Sequence, residues 1–302
     1  MRICSLLPGA TEIVFALGLG DDLTGVTHEC DYPPQAKEKS VVVNSNIDPK
    51  RMTSGEIDRK VSEILQGGNN LYTLDEEALV ESAPDLILTQ SLCDVCALDY
   101  NIVAKAADSL ARKPEIISLN PHCLADVFND ILRVGAATQR LLVAQALVRD
   151  LQARVDRVAY PAPNHRPRVV CLEWFDPLYV AGHWVPEIVA LAGAEDALAR
   201  AGEPSRRVEW QDIVDAKPEV ILLMPCGFDV RRTAREATPL RGLPGWNELP
   251  AVKTSNVFAL NGSAYFSRPG PRLVNGLEIL AQLIHPGRAS QIPSSMDAAT
   301  LN

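Results

Sequence analysis

Cys93 and Cys96 form a Cys-x-x-Cys pair in "LILTQSLCDVCALDY", residues 86–100, straight after an apolar run that reads as a buried strand. Three chemistries suit such a pair. A structural zinc site wants four ligands, so the pair needs partners, and Cys30, Cys123, His28 and His122 could supply them. A redox pair wants its first thiol at a helix N-terminus, where the dipole lowers the pKa, and "TQSLCDVCA" permits this. The third is contact with a captured ligand or its metal, because soft thiolates suit zinc, copper(I) and iron. The plain alternative is a pair of ordinary loop thiols.

The elements that must position these residues are short Val/Ile/Leu runs alternating with helical patterns, which point to βαβ units around mostly parallel sheets. In such sheets ligands meet the loops just beyond the carboxyl ends of the strands. After "LTGV" come His28, Cys30 and Tyr32, and after "IISLN" come His122 and Cys123. In the second half Trp174 and Phe175 follow "RVVCLE", while His183 and Trp184 follow "LYVAG". Cys226 and Phe228 follow "VILLMP"; Tyr265, Phe266 and Arg268 follow "VFALNG". Cys4 and Cys171 instead lie inside strand runs, where cysteine acts as a small buried hydrophobe. Cys93, Cys96 and Cys226 are therefore expected to converge on one gap, with His28, Cys30, His122 and Cys123 nearby as further soft ligands for zinc or iron. Tyr32, Trp174, Phe175, His183, Trp184, Phe228, Tyr265 and Phe266 suit stacking on a flat ligand. Arg268 suits an anionic edge. Some of the aromatic rings should instead cap the lobe cores.

Three segments of the first half recur, in order, in the second. "EIVFALGLGDD" at 12–22 resembles "EIVALAGAEDA" at 187–197; "LVESAPDLILT" at 79–89 resembles "IVDAKPEVILL" at 213–223. "PEIISLNP" at 114–121 resembles "SNVFALNG" at 255–262, and the three offsets are 175, 134 and 141 residues. Between the halves, Val127, Ile131, Val134, Leu141, Ala144, Val148, Leu151 and Val155 recur at helical spacing with no intervening proline. The expected architecture is an α/β fold of two similar Rossmann-like lobes, residues 1–123 and 162–287, joined by a single long α-helix within 124–161. At about 1.5 Å per residue that helix would span roughly 50 Å. The tail 288–302 lacks periodicity and is expected to be poorly ordered.

Composition narrows the functions. A chain of 302 residues with 47% hydrophobic and 22% charged residues suits two globular domains. A net charge of −9 argues against a nucleic-acid groove, which needs clustered Lys and Arg. No stretch approaches the roughly 18 uninterrupted apolar residues of a membrane span. Seven cysteines at irregular spacings fit reduced thiols better than a disulfide framework. The opening "MRICSLLPGATEIVFALGLGDD" reads as a first strand and helix, not as a secretory signal. This predicts a cytoplasmic protein, or a periplasmic one if a leader precedes it. No nucleophile elbow, phosphate-binding loop or His-Glu-x-x-His motif is present, so no enzymatic reaction is expected.

"SLLPGATE", "DYPPQA" at 31–36, "APDLIL" at 83–88 and "VFALNGSAYFSRPGPRLVNGLEILA" at 257–281 resemble the helical-backbone substrate-binding proteins of ABC importers. That group captures cobalamin, haem and iron-siderophores, and "DYPPQA" looks closest to its cobalamin-binding branch. The resemblance runs over nearly the whole chain. It implies a small-molecule or metal-chelate ligand, cobalamin or another corrinoid, held between two lobes. Soft thiolates could then meet the corrin cobalt as well. It also implies docking on an ABC permease through one surface carboxylate per lobe. Glu77, seven residues before Pro84, matches the first; the second position holds Gln211, a neutral amide, which puts that partnership in doubt. The alternative is a cytoplasmic metallochaperone or redox enzyme that reuses the scaffold with its cleft cysteines.

Overall fold

The computed structural model describes residues 1–91, 98, 100–159, 165–286 and 298–301. Cys93 and Cys96 lie outside the described residues.

The first lobe runs β1 (Ile3–Ser5), α1 (Pro8–Ala16), β2 (Leu23–Thr27), β3 (Val41–Ser45), α2 (Ser54–Gln66) and β4 (Tyr72–Leu74). It continues through α3 (Glu76–Ser82), β5 (Leu86–Thr89), α4 (Tyr100–Asp108) and β6 (Glu115–Ser118). Its sheet has the order β4-β3-β2-β1-β5-β6 and is parallel except at β4. Two helices follow, α5 (Leu124–Ala137) and α6 (Leu141–Val158). The second lobe opens with β7 (Arg168–Phe175), β8 (Leu178–Val180), α7 (Val185–Leu191), β9 (Glu195–Asp196) and β10 (Arg206–Arg207). After them come α8 (Trp210–Ala216), β11 (Val220–Leu223), α9 (Val230–Glu236), α10 (Pro250–Lys253) and β12 (Val257–Leu260). The chain then forms α11 (Gly262–Tyr265), α12 (Leu273–Ile284) and β13 (Ala298–Thr300).

The second sheet has the order β10-β8-β7-β11-β12-β13, with β9 beside β7. Its centre β7-β11-β12 is parallel and matches β1-β5-β6 of the first lobe. Its flanks β8, β10 and β13 are antiparallel, so this sheet is mixed.

The internal repeat is visible residue by residue. Helices α3 and α8 are both seven residues long, and both end in a left-handed residue, Ala83 (φ 37°) and Lys217 (φ 46°). Pro84 and Pro218 come next, and neither can donate a further helical hydrogen bond. β5 and β11 then begin two residues later in each lobe.

Alternation along these strands builds three apolar interiors. Ile3, Leu86 and Leu88 of the first sheet and Val169, Cys171, Val220 and Leu222 of the second point into one shared cluster. The intervening Cys4 and Ile87 face a second cluster, and Val170, Leu172, Ile221 and Leu223 a third. A period of two is what a strand buried on both faces requires. The shared cluster also takes Ile13 of α1, Ile131 of α5, Leu151 of α6, Ile188 of α7 and Leu277 of α12.

Two expectations need correction. The linker is two helices, not one. Gln139 adopts φ 59°, Arg140 N donates to Gly135 O at 2.7 Å, and Thr138 Oγ1 donates to Val134 O at 2.7 Å. This closes α5 in a left-handed C-terminal turn of the Schellman kind. The turn is tight because Gly135 has no side chain: a Cβ there would stand 2.4 Å from Ala144 Cβ. The tail is not wholly irregular either, since Ala298–Thr300 pairs antiparallel with β12 and satisfies its free edge.

Candidate ligand site between the lobes

Both lobes wall a cavity of about 520 Å³, inside the range of roughly 300–1,000 Å³ common for small-ligand sites. Asp31, Tyr32 and Lys50 come from the first lobe; Gly227, Asp229, Arg231, Arg232, Arg235, Asn261, Ser263, Ala264, Arg268 and Arg272 come from the second.

Two sets of inter-lobe contacts flank the cleft. On one side Trp174 Nε1 donates to Ser54 O at 3.2 Å, and Arg232 Nη2 donates to Pro49 O at 2.8 Å and Met52 O at 2.9 Å. On the other, Arg268 pairs with Asp31 at 2.5 Å and donates to Glu29 O at 3.1 Å. Arg272, at the N-terminal boundary of α12, grips Glu12 of α1 with two bonds of 2.9 and 2.6 Å. Burial pushes the Glu12 carboxyl up from its ordinary range, and Arg272 and Arg268 oppose that. Gly9 lies so close to the second lobe that a Cβ would fall 2.6 Å from Pro269 O.

A matching contact joins α7 to the start of α5. Glu187 accepts from Leu124 N at 2.7 Å, and the rings of His122 and His183 stand 6.0 Å apart. Glu12 and Glu187 occupy equivalent places in the repeat, so each lobe sends one glutamate to a helix start beyond the other side of the cleft. Burial, followed by the charge of His122, holds His183 below the ordinary imidazole value.

The sequence candidates are distributed unevenly over this geometry. Tyr32 and Arg268 line the cavity. Phe175, Trp184 and Phe266 are packed into the apolar interiors instead, with Trp184 Nε1 donating to Phe266 O at 2.8 Å. Phe228 is 2% exposed; its ring packs against Trp174 and carries the Arg232 guanidinium at 3.8 Å. Arg272 lies 3.9 Å over the Tyr32 ring and 5.8 Å from that of Tyr265. Several aromatic rings thus support arginines. His183 and Trp184 follow β8, which runs antiparallel to β7, so the rule for carboxyl ends of parallel strands does not carry them to the cleft.

The soft-ligand pocket is not assembled among the described residues, where no group of three His, Cys, Asp or Glu side chains is placed to hold a metal ion. Cys30 is buried and occupied by the hydroxyls of Thr11 at 3.0 Å and Thr27 at 3.3 Å. His28 is engaged with Val43 O and packs on Tyr72. Cys123 caps α5, where its N–H and that of His122 both donate to Asp126. Cys226 is exposed on the cleft side, hydrogen-bonded to Ser267 and in electrostatic reach of Glu29 in the opposite lobe. Solvent reaches its residue, yet the walls crowd the thiol; that desolvation, then Glu29, raises its pKa and disfavours the thiolate a soft metal needs.

Lys50, Arg231, Arg232, Arg235 and Arg272 were not singled out as site residues from sequence. The signal was available in "DVRRTARE", where residues 231 and 235 share one helix face and 232 sits beside them.

Comparison with known proteins fits this architecture. The sequence model described as "Periplasmic binding protein" matches residues 3–264. The Vitamin B12-binding protein of Vibrio parahaemolyticus is 27% identical over 282 residues, covering 91% of this chain and 86% of that protein. An uncharacterized ABC transporter substrate-binding lipoprotein of Bacillus subtilis is 25% identical, covering 94% and 80%. The periplasmic heme-binding protein RhuT from Roseiflexus sp. RS-1, in apo form, superposes with a TM-score of 0.70 at 22% identity, covering 96% and 99%. These findings overturn the cytoplasmic assignment, because the family is periplasmic and the Bacillus relative is a lipoprotein. They lend nothing to the metallochaperone or redox alternative. With its two lobes, linking helices and inter-lobe cavity, the chain belongs to the periplasmic binding protein family, in its helical-backbone group.

Proposed function

We propose that this chain is a non-enzymatic binding protein that captures a metal-containing small molecule, of the cobalamin or haem kind, between its lobes and presents it to an ABC permease. The observation that carries the reading is the cavity, which is walled by both lobes and lies where loops at the carboxyl ends of strands meet. The ligand kinds are those named for the Vibrio relative and the Roseiflexus structure. Ligand-free protein titrated with cyanocobalamin and with iron protoporphyrin should give a saturable one-to-one change in visible absorption with one of them. Absence of saturable binding to both rejects these two ligand kinds.

The permease half rests on two exposed helix starts. Glu77 is exposed in the first turn of α3, beside Glu76 and Glu81. Gln211 holds the equivalent place on α8 and donates to Asp215 at 2.8 Å. A neutral amide cannot form the ion pair with a permease arginine. Gln211→Glu should therefore tighten docking about two- to fivefold, the scale of one exposed ion pair. The measurement is ATPase stimulation of a related cobalamin importer in liposomes. An unchanged half-saturating concentration counts against the assignment of Gln211.

A further inference from the structure

The charge of the cavity runs against the charge of the protein. The chain carries a net −9, yet six cationic side chains line the cavity against the carboxylates of Asp31 and Asp229. Three of the six are committed elsewhere: Arg235 to Glu236 at 3.3 Å, Arg268 to Asp31, and Arg272 to Glu12. Counting Glu12 and Glu236 as well still leaves two cations in excess.

Lys50, Arg231 and Arg232 form no ion pair among the described residues. Arg232 is the most informative. Its guanidinium is half-buried against the Phe228 ring and gives its Nη2 protons to two backbone carbonyls, while its buried Nε has no acceptor among the described residues. A half-desolvated cation with no carboxylate partner gains from an anion brought against it in the cavity. Arg231 and Arg235 sit one helical turn apart on α9, and Lys50 faces them from the first lobe.

We propose that the cavity is built for an acid-edged ligand, one that presents two or more carboxylates or equivalent anionic oxygens to Lys50, Arg231 and Arg232. The planar guanidinium fork of Arg231, engaged by no described residue, matches a carboxylate with two hydrogen bonds, and it gains less from cobalamin, whose periphery is amides apart from one phosphodiester. This deepens the function proposed above and rests on it. An iron porphyrin dicarboxylate and a ferric polycarboxylate chelate share the required chemistry.

The test compares four probes by quenching of tryptophan fluorescence: iron protoporphyrin, its dimethyl ester in the same dilute non-ionic detergent, ferric citrate, and cyanocobalamin. The acid porphyrin or ferric citrate should bind about tenfold or more tighter than the ester and cyanocobalamin. Whichever of the two binds tighter identifies the source of the anionic groups. The double variant Lys50→Ser, Arg231→Ser should lose about tenfold in affinity for the anionic probe and none for the ester. Both side chains are exposed, so the variant's melting temperature should match the parent's and separates a binding loss from misfolding. An ester that binds as well as the acid, or a variant that binds the acid unchanged, overturns the inference. Tight cyanocobalamin binding with weak anionic binding overturns it while leaving the function standing. No binding of any probe removes both.

Discussion

Replacing Glu12 by alanine should lower the free energy of unfolding by about 3–5 kcal/mol, because removal of one partner strands the other's charge in a desolvated place. Glu12 is 4% exposed, and both of its oxygens are taken by Arg272, whose own side chain is 15% exposed. The pair as a unit should be worth far less than either loss, since two buried charges repay their desolvation only in part. A double variant, Glu12→Leu with Arg272→Met, should therefore recover most of the stability lost in Glu12→Ala. Urea unfolding of the two variants and the parent decides it. A loss below about 1 kcal/mol in Glu12→Ala would show that water reaches the pair and screens it.

Trp184→Ala should cost about 3–5 kcal/mol, the range for deleting a buried indole and leaving a void. Trp184 is 6% exposed within the shared interior, and its Nε1 donates to Phe266 O at 2.8 Å. Trp184→Phe fills most of the space but orphans that carbonyl, so it should cost about 1–3 kcal/mol. If Trp184 instead served chiefly to stack on a ligand, both variants would keep parental stability and lose affinity. Thermal unfolding and ligand titration on the same samples separate the two roles.

Much of the fold was legible because its signals are local and doubled. The proline after each short helix and the apolar run beyond it recur at an offset of 134, and the structure places α3-β5 and α8-β11 at that same spacing. The helix break at residues 138–140 was not legible from periodicity. Leu141 and Ala144 resume the stripe on which Val134 lies, so a turn of three residues leaves the apolar spacing intact. The strand that ends the chain was hidden for another reason: "AAT" has little strand propensity, and the open edge of β12 recruits it.

The site was less legible than the fold. Strand ends were a sound place to look, and they found Tyr32 and Arg268 on the cavity wall. Large rings near strand ends, however, are also what seals a lobe interior. Sequence cannot tell a ring that greets a ligand from one such as Phe266 that faces inward. Cysteine raises the same ambiguity, since two neighbouring threonine hydroxyls are enough to absorb Cys30. The cations of α9 escaped notice because they come after the strand end, on the helix that follows it.

The shared interior has a consequence for cooperativity. Inward residues of both sheets seal one apolar body, together with α1, α5, α6, α7 and α12. A lobe separated from its fellow would expose to water a face that the whole protein buries, and the Glu12–Arg272 pair would be broken. The shared interior ties the lobes together, so they are expected to unfold as one cooperative body. Opening the cleft is therefore confined to motions that leave that common interior shut, small rotations at the rim of a single cooperative body.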